Sequence, residues 1–80
     1  MQNVWLLYRK VKTKFPLATK VKVVWPFSSY DGHTGIVSDY EHYQYFTTSA
    51  KYGMYVEVAI WTHLYGMTFH KLPADNLVPV

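Results

Sequence analysis

Apolar and polar residues alternate most regularly in the stretch that begins at Tyr55 and ends at Trp61. Every second residue from Val56 to Ile60 is aliphatic, whereas Glu57 lies between the two aromatic ends on the alternate positions. Successive side chains of a strand point to opposite faces, so the alternation predicts a β-strand with one buried face. Because Glu57 shares the other face, we expect that face to be turned outward.

Three further runs of extended-chain residues predict strands, and turn signals separate them: Lys20–Trp25, Ile36–Tyr40 and Met67–Leu72. Pro26 ends the first run. Gly32 and Gly35 allow a tight connection between the first run and the second, which is typical of a hairpin. In the run that ends at Leu72, we expect His70 to alternate with Phe69 and to point to solvent.

The N-terminal segment fits two patterns. Helical spacing places one apolar stripe on a single face, formed by Val4, Leu7, Tyr8, Val11 and Phe15. In the second half of the segment, Val11, Thr13 and Phe15 alternate with Lys10, Lys12 and Lys14, and this alternation fits a strand equally well. We favour a helix that ends at Pro16, because the residue before a proline avoids the helical conformation.

The segment from Glu41 to Gly53 has no clean period, although Tyr43–Thr48 favours extended backbone. The tail predicts one helical turn that begins at Pro73, followed by a short closing strand. The expected fold is therefore mainly β. It is a small five-stranded SH3-like barrel over residues 17–80, preceded by a basic amphipathic segment over residues 1–16.

Composition limits the function classes. Eighty residues make one domain, the chain has no cysteine, and 19% of its residues are aromatic. The net charge is +3, and most basic side chains fall between Arg9 and Lys22, which would attract phosphate or an acidic surface. No signal peptide or membrane span is expected, and we predict a cytoplasmic protein. A membrane partner is the least favoured of three possibilities, since it requires Val4–Phe15 to form a helix that is exposed and lies on the membrane.

Short motifs resemble the KOW module, an SH3-like barrel found in transcription elongation factors and ribosomal proteins. They are Val21-Lys22-Val23-Val24, Pro26-Phe27 and Gly32-x-x-Gly35-x-Val37, together with the helical turn before the last strand. The resemblance covers residues 17–80 and implies RNA or DNA binding. The tail also resembles that of plasmid-encoded type II dihydrofolate reductases. However, Phe69-His70-Lys71-Leu72 replaces the ligand-binding motif of that family, so no such activity is implied.

Few residues of the chain are arranged as a catalytic or metal site would require. The four histidines lack metal-ligand spacing, and we expect the one in the glycine turn, His33, to be exposed. The residues Ser28, Ser29 and Asp31 lie near that histidine but are ordinary turn residues. We therefore predict a non-enzymatic protein with no catalytic residue, cofactor or metal.

Surplus aromatic residues point to binding instead, because a barrel of this size cannot bury fifteen rings. The first hypothesis is docking on a protein partner, an assembly or a second copy. The alternative is RNA or DNA binding through lysines and rings, including the basic segment from Arg9 to Lys22. The candidate binding residues are Lys20, Lys22, Trp25, Phe27, Tyr30, His33, Tyr55 and Trp61.

Overall fold

A computed structural model of the chain describes residues 4–44 and 51–80. One α-helix is followed by five strands, with a short 3-10 helix before the last strand. The elements are α1 (Val4–Lys14), β1 (Lys20–Val23), β2 (Thr34–Gln44), β3 (Met54–Thr62), β4 (Gly66–Pro73), the 3-10 helix (Ala74–Asn76) and β5 (Leu77–Pro79). The mainly β prediction is confirmed.

The N-terminal segment forms the helix that its apolar stripe predicts. Leu7, Val11 and Phe15 are buried, so the stripe faces the core and the strand alternative is wrong. Lys12 and Lys14 lie in the last turn, where positive charge interacts favourably with the helix dipole. The helix ends just before Pro16, as expected.

The five strands form one antiparallel sheet in the order β4-β3-β2-β1-β5. β2 is longer than predicted, and its register with β3 shifts after Val37 and again after Tyr40. The sheet is not closed, since β4 and β5 are its two edges. A closed barrel is therefore not what the structure shows. Residues 45–50 of the predicted extended stretch lie outside the described residues.

One core fills the inner face of the sheet, and α1 covers it. On β3 the predicted alternation is confirmed: Val56, Val58 and Ile60 are buried, and Trp61 is exposed. The same core takes residues from every element, including Phe15, Val21, Val23, Val37, Met54, Leu72, Ala74 and Leu77. Leu7, Val11 and Phe15 thus pack in the same core as the strands.

Two glycines of the first hairpin have different roles. Gly32 has a φ of 84°, the left-handed conformation that the predicted tight turn requires. Gly35 lies in β2 instead, where a Cβ would come within 2.5 Å of the Ala59 carbonyl oxygen and 2.6 Å of the Val58 side chain. It is needed because β2 and β3 approach closely there, not because the chain turns.

The tail follows the prediction. Proline precedes the 3-10 helix, and β5 then pairs antiparallel with β1. Among the described residues, no helix has the length and apolar character that a membrane crossing requires.

Candidate functional site

The outward face of the sheet carries a set of exposed apolar side chains that adjoin one another. Register places Ile36 opposite Ala59, and Ala59 opposite Phe69, while Trp61 lies opposite Met67. Four of these side chains are substantially exposed: Trp61 by 67%, Phe69 by 60%, Met67 by 48% and Ile36 by 46%. We call these four residues the outer patch.

Charged residues flank the outer patch on two sides. On β1, the exposed Lys20 pairs with Ile36. On the other side, Glu57 pairs with Lys71 and with Asp39. The Ser38 hydroxyl donates a hydrogen bond to the Glu57 carboxylate at 3.0 Å, and Lys71 forms an ion pair with Glu41. The patch therefore has an apolar centre and a border that carries both signs of charge.

Two predicted site residues stack in the loop between β1 and β2. The rings of Trp25 and Tyr30 are nearly parallel, with centroids 6.4 Å apart, and both are partly buried against the core. The Asp31 carboxylate accepts a hydrogen bond from the Trp25 backbone N–H at 2.7 Å. This carboxylate therefore fixes the loop, as a turn residue commonly does.

A cleft of about 220 Å³ separates this loop from the β3–β4 hairpin. His33 lines it and is exposed, as predicted. The prediction that His70 points to solvent is wrong. His70 pairs with the buried Val58 and is partly buried itself. Its ring contacts the hydroxyl groups of Tyr30 and Thr68.

Other predicted residues lie apart from one another. Phe27 is fully exposed and has a φ of 69°, which is costly for a residue other than glycine. Tyr55 is partly buried on β3 opposite Pro73. Lys20 and Lys22 share the outward face of the sheet with Trp61, two strands away. The structure brings together Trp25 with Tyr30, and it places Trp61 in the outer patch.

One tyrosine joins α1 to the sheet. The Tyr40 hydroxyl donates a hydrogen bond to the backbone carbonyl of Phe15. Burial raises the pKa of Tyr40 above its ordinary value, and the nearby Tyr8 and Asp39 raise it further. This side chain serves the packing of the helix end.

Three of the four residues of the outer patch were missed by sequence reasoning: Ile36, Met67 and Phe69. A usable signal was Leu72, the aliphatic residue at the end of its run. If Leu72 is buried, alternation turns His70 inward and Phe69 outward. Ile36 could be placed only once the register between β2 and β3 was known.

Within residues 4–44 and 51–80, no three side chains of His, Asp or Glu are grouped as metal ligands. Comparison of the chain with protein-family models, with curated proteins and with solved structures finds no match.

Proposed function

We propose that this chain is a non-enzymatic binding module that docks on a protein surface through the outer patch. The observation that carries the proposal is the adjacency of four exposed large apolar side chains on three neighbouring strands. Together they present on the order of 400 Å² of apolar surface, in the range of the largest patches on monomeric proteins. Aromatic residues and methionine are the types that protein interfaces favour at their centre.

The border of the patch favours a protein over a polyanion as the bound surface. Protein interfaces have an apolar centre and a polar rim, and here Lys20 and the pair Glu57–Lys71 flank the apolar residues. A phosphate backbone that crossed the patch towards β4 would meet the Glu57 carboxylate. A protein surface carries both positive and negative side chains, so it can pair with Glu57 as well as with the lysines.

The occupant we propose is a second copy of the chain, packed face to face. Four paired residues lie side by side across β1, β2, β3 and β4, in the order Lys20, Ile36, Ala59 and Phe69. A two-fold axis parallel to the strands, between β2 and β3, would bring β1 of one copy over β4 of the other. Lys20 would then lie over the Phe69 ring of the second copy, a favourable cation–π contact. A stable interface covers about 800 Å² per partner, so the patch would form its centre and the charged flanks its rim.

Sedimentation equilibrium over a concentration series tests this proposal. We expect the wild type to dimerise reversibly and Trp61→Ser/Phe69→Ser to weaken dimerisation at least twentyfold. The matched control is Leu17→Ser/Leu64→Ser, which removes two exposed apolar side chains outside the patch and should dimerise like the wild type. A wild type that stays monomeric, or a control that weakens dimerisation as much, would contradict the proposal.

The strand order β5-β1-β2-β3-β4, with a one-turn helix before β5, supports an SH3-like architecture, which we propose for this chain. Membership of the KOW family, a cytoplasmic location and the absence of catalysis remain predictions from the sequence.

A further inference from the structure

Two grooves run along the exposed side of α1, on the opposite side of the molecule's core from the outer patch. One has a volume of about 560 Å³, and its walls include Leu6, Lys51 and Tyr52. The other, of about 470 Å³, has walls that include Trp5 and Tyr8. Arg9 and Thr13 line both grooves, so the two grooves adjoin. We call them together the basic groove.

Cationic and aromatic side chains line the basic groove, and none of the described residues that line it is a carboxylate. The cations are Arg9, Lys10, Lys12, Lys14 and Lys51, and the rings are those of Trp5, Tyr8 and Tyr52. The two sets are in contact: Lys12 Nζ lies 5.1 Å from the centroid of the Tyr8 ring, and Lys51 Nζ lies 5.6 Å from that of Tyr52. Trp5 is exposed, Tyr8 is half-buried and Tyr52 is buried, so the groove offers positive charge beside the rings of Trp5 and Tyr8.

The carboxylate near Lys51 belongs to Asp75, and it is already engaged. It accepts hydrogen bonds from the backbone N–H groups of Lys51, Tyr52 and Gly53 at 2.6–3.0 Å. Its charge thus serves to fix the chain before β3. The five cations that line the groove still outnumber this single carboxylate.

We propose that the basic groove binds single-stranded nucleic acid, independently of docking through the outer patch. Ammonium and guanidinium groups neutralise backbone phosphates, and bases stack on rings such as the exposed Trp5. A single strand has free base faces and enters a concave groove, whereas the bases of a duplex are already stacked on each other.

An anionic membrane fits the same charges less well. Membrane-surface helices insert a continuous apolar face into the bilayer, but the apolar stripe of α1 is buried in the core through Leu7, Val11 and Phe15. Among the side chains of α1 that the structure describes, from Trp5 to Lys14, the exposed large apolar ones are Trp5 and Leu6, near the beginning of the helix.

Fluorescence anisotropy with labelled twelve-nucleotide oligo(dT) and oligo(rU) tests the proposal. We expect saturable binding at low salt, with a slope of log K against log [salt] of about −3, the value for four or five phosphate contacts on a single strand. Lys10→Glu/Lys14→Glu should weaken binding at least tenfold, and Trp5→Ala about tenfold. Circular dichroism checks that each variant is folded.

The matched control is His63→Glu/Leu64→Glu, in the exposed turn between β3 and β4 and outside the residues that line the groove. It lowers the formal net charge by two, as the single reversal Lys14→Glu does, and should change the affinity less than threefold. Absence of oligonucleotide binding at low salt would overturn the proposal, as would a control that weakens binding as much as Lys14→Glu. A parallel experiment measures binding of the protein to vesicles of phosphatidylcholine and phosphatidylserine. Binding to the vesicles without binding to the oligonucleotides would assign the groove to membranes instead.

Discussion

The phenol of Tyr30 contacts Nδ1 of His70 at 3.2 Å, which joins the β1–β2 loop to β4 across 40 residues of sequence. Thr68 completes the network. Its hydroxyl donates to the Ile60 carbonyl at 3.1 Å and lies 2.7 Å from Nε2 of His70. One arrangement of hydrogens satisfies all three contacts at once: Thr68 donates to Ile60, Nε2 of His70 donates to Thr68, and Nδ1 accepts from Tyr30. We assign the Nε2–H tautomer to His70 on this basis.

Tyr30→Phe removes the donor to Nδ1 and keeps the ring that stacks on Trp25. We expect the free energy of unfolding to fall by about 1 kcal/mol, the net value of one hydrogen bond, in urea unfolding. Long-range ¹H–¹⁵N spectra in mildly alkaline buffer should show the Nε2–H tautomer of His70 in both proteins, because Thr68 sets it. An Nδ1–H tautomer in the wild type would contradict this network.

Gly35→Ala should destabilise the protein by about 2–3 kcal/mol, as overpacking of a well-filled site does. The added Cβ would come within 3 Å of Ala59, Val58 and Ile60, so β2 and β3 would have to separate. Gly32→Ala is the matched comparison. Its Cβ would meet nothing within 4 Å, and the left-handed φ alone costs about 1 kcal/mol. Equal losses in urea unfolding, or a larger loss for Gly32→Ala, would show that the close approach is not what requires Gly35.

Tyr40→Phe should cost about 1 kcal/mol near neutral pH, because the hydrogen bond to Phe15 is lost. The wild-type advantage should shrink as the pH rises above 10. The pKa of Tyr40 is raised above 10.0 in the folded state. The unfolded chain therefore releases the proton first, and the contribution to stability is lost as the pH passes through the raised pKa.

Urea unfolding at several pH values from 8 to 11 measures this difference. Tyr65→Phe, at an exposed position, is the control for removing a tyrosine hydroxyl. A wild-type advantage over Tyr40→Phe that stays constant across this range would contradict the assignment.

Local patterns predicted the elements well, because each is decided by residues close together in the chain. The stripe from Leu7 to Phe15 forms a helix, the alternation from Val56 to Ile60 forms β3, and Pro73 precedes the 3-10 helix. Such local patterns could not predict whether the sheet closes into a barrel. Closure depends on whether β4 and β5 meet, and the sheet leaves both at its edges.

The candidate sites depend on residues that are distant in sequence. Trp61 was predicted to be exposed, but Phe69 joins it only through the register of β4 on β3. Similarly, the cations of α1 are evident in the sequence, whereas Lys51 and Tyr52 reach the basic groove from another part of the chain. Surplus aromatic residues indicated binding without indicating which rings share a surface.

Docking of a second copy on the outer patch is the central claim, and intermolecular NOEs in a mixture of isotope-labelled and unlabelled protein test it most directly. Lys20 and Phe69 lie three strands apart in one molecule, with backbones about 14 Å apart at the usual strand spacing, and the isotope filter removes any NOE within one molecule. We predict an NOE between the Lys20 side chain of one copy and the Phe69 ring of the other. Intermolecular NOEs that involve only other surfaces, or none at millimolar concentration, would contradict the account.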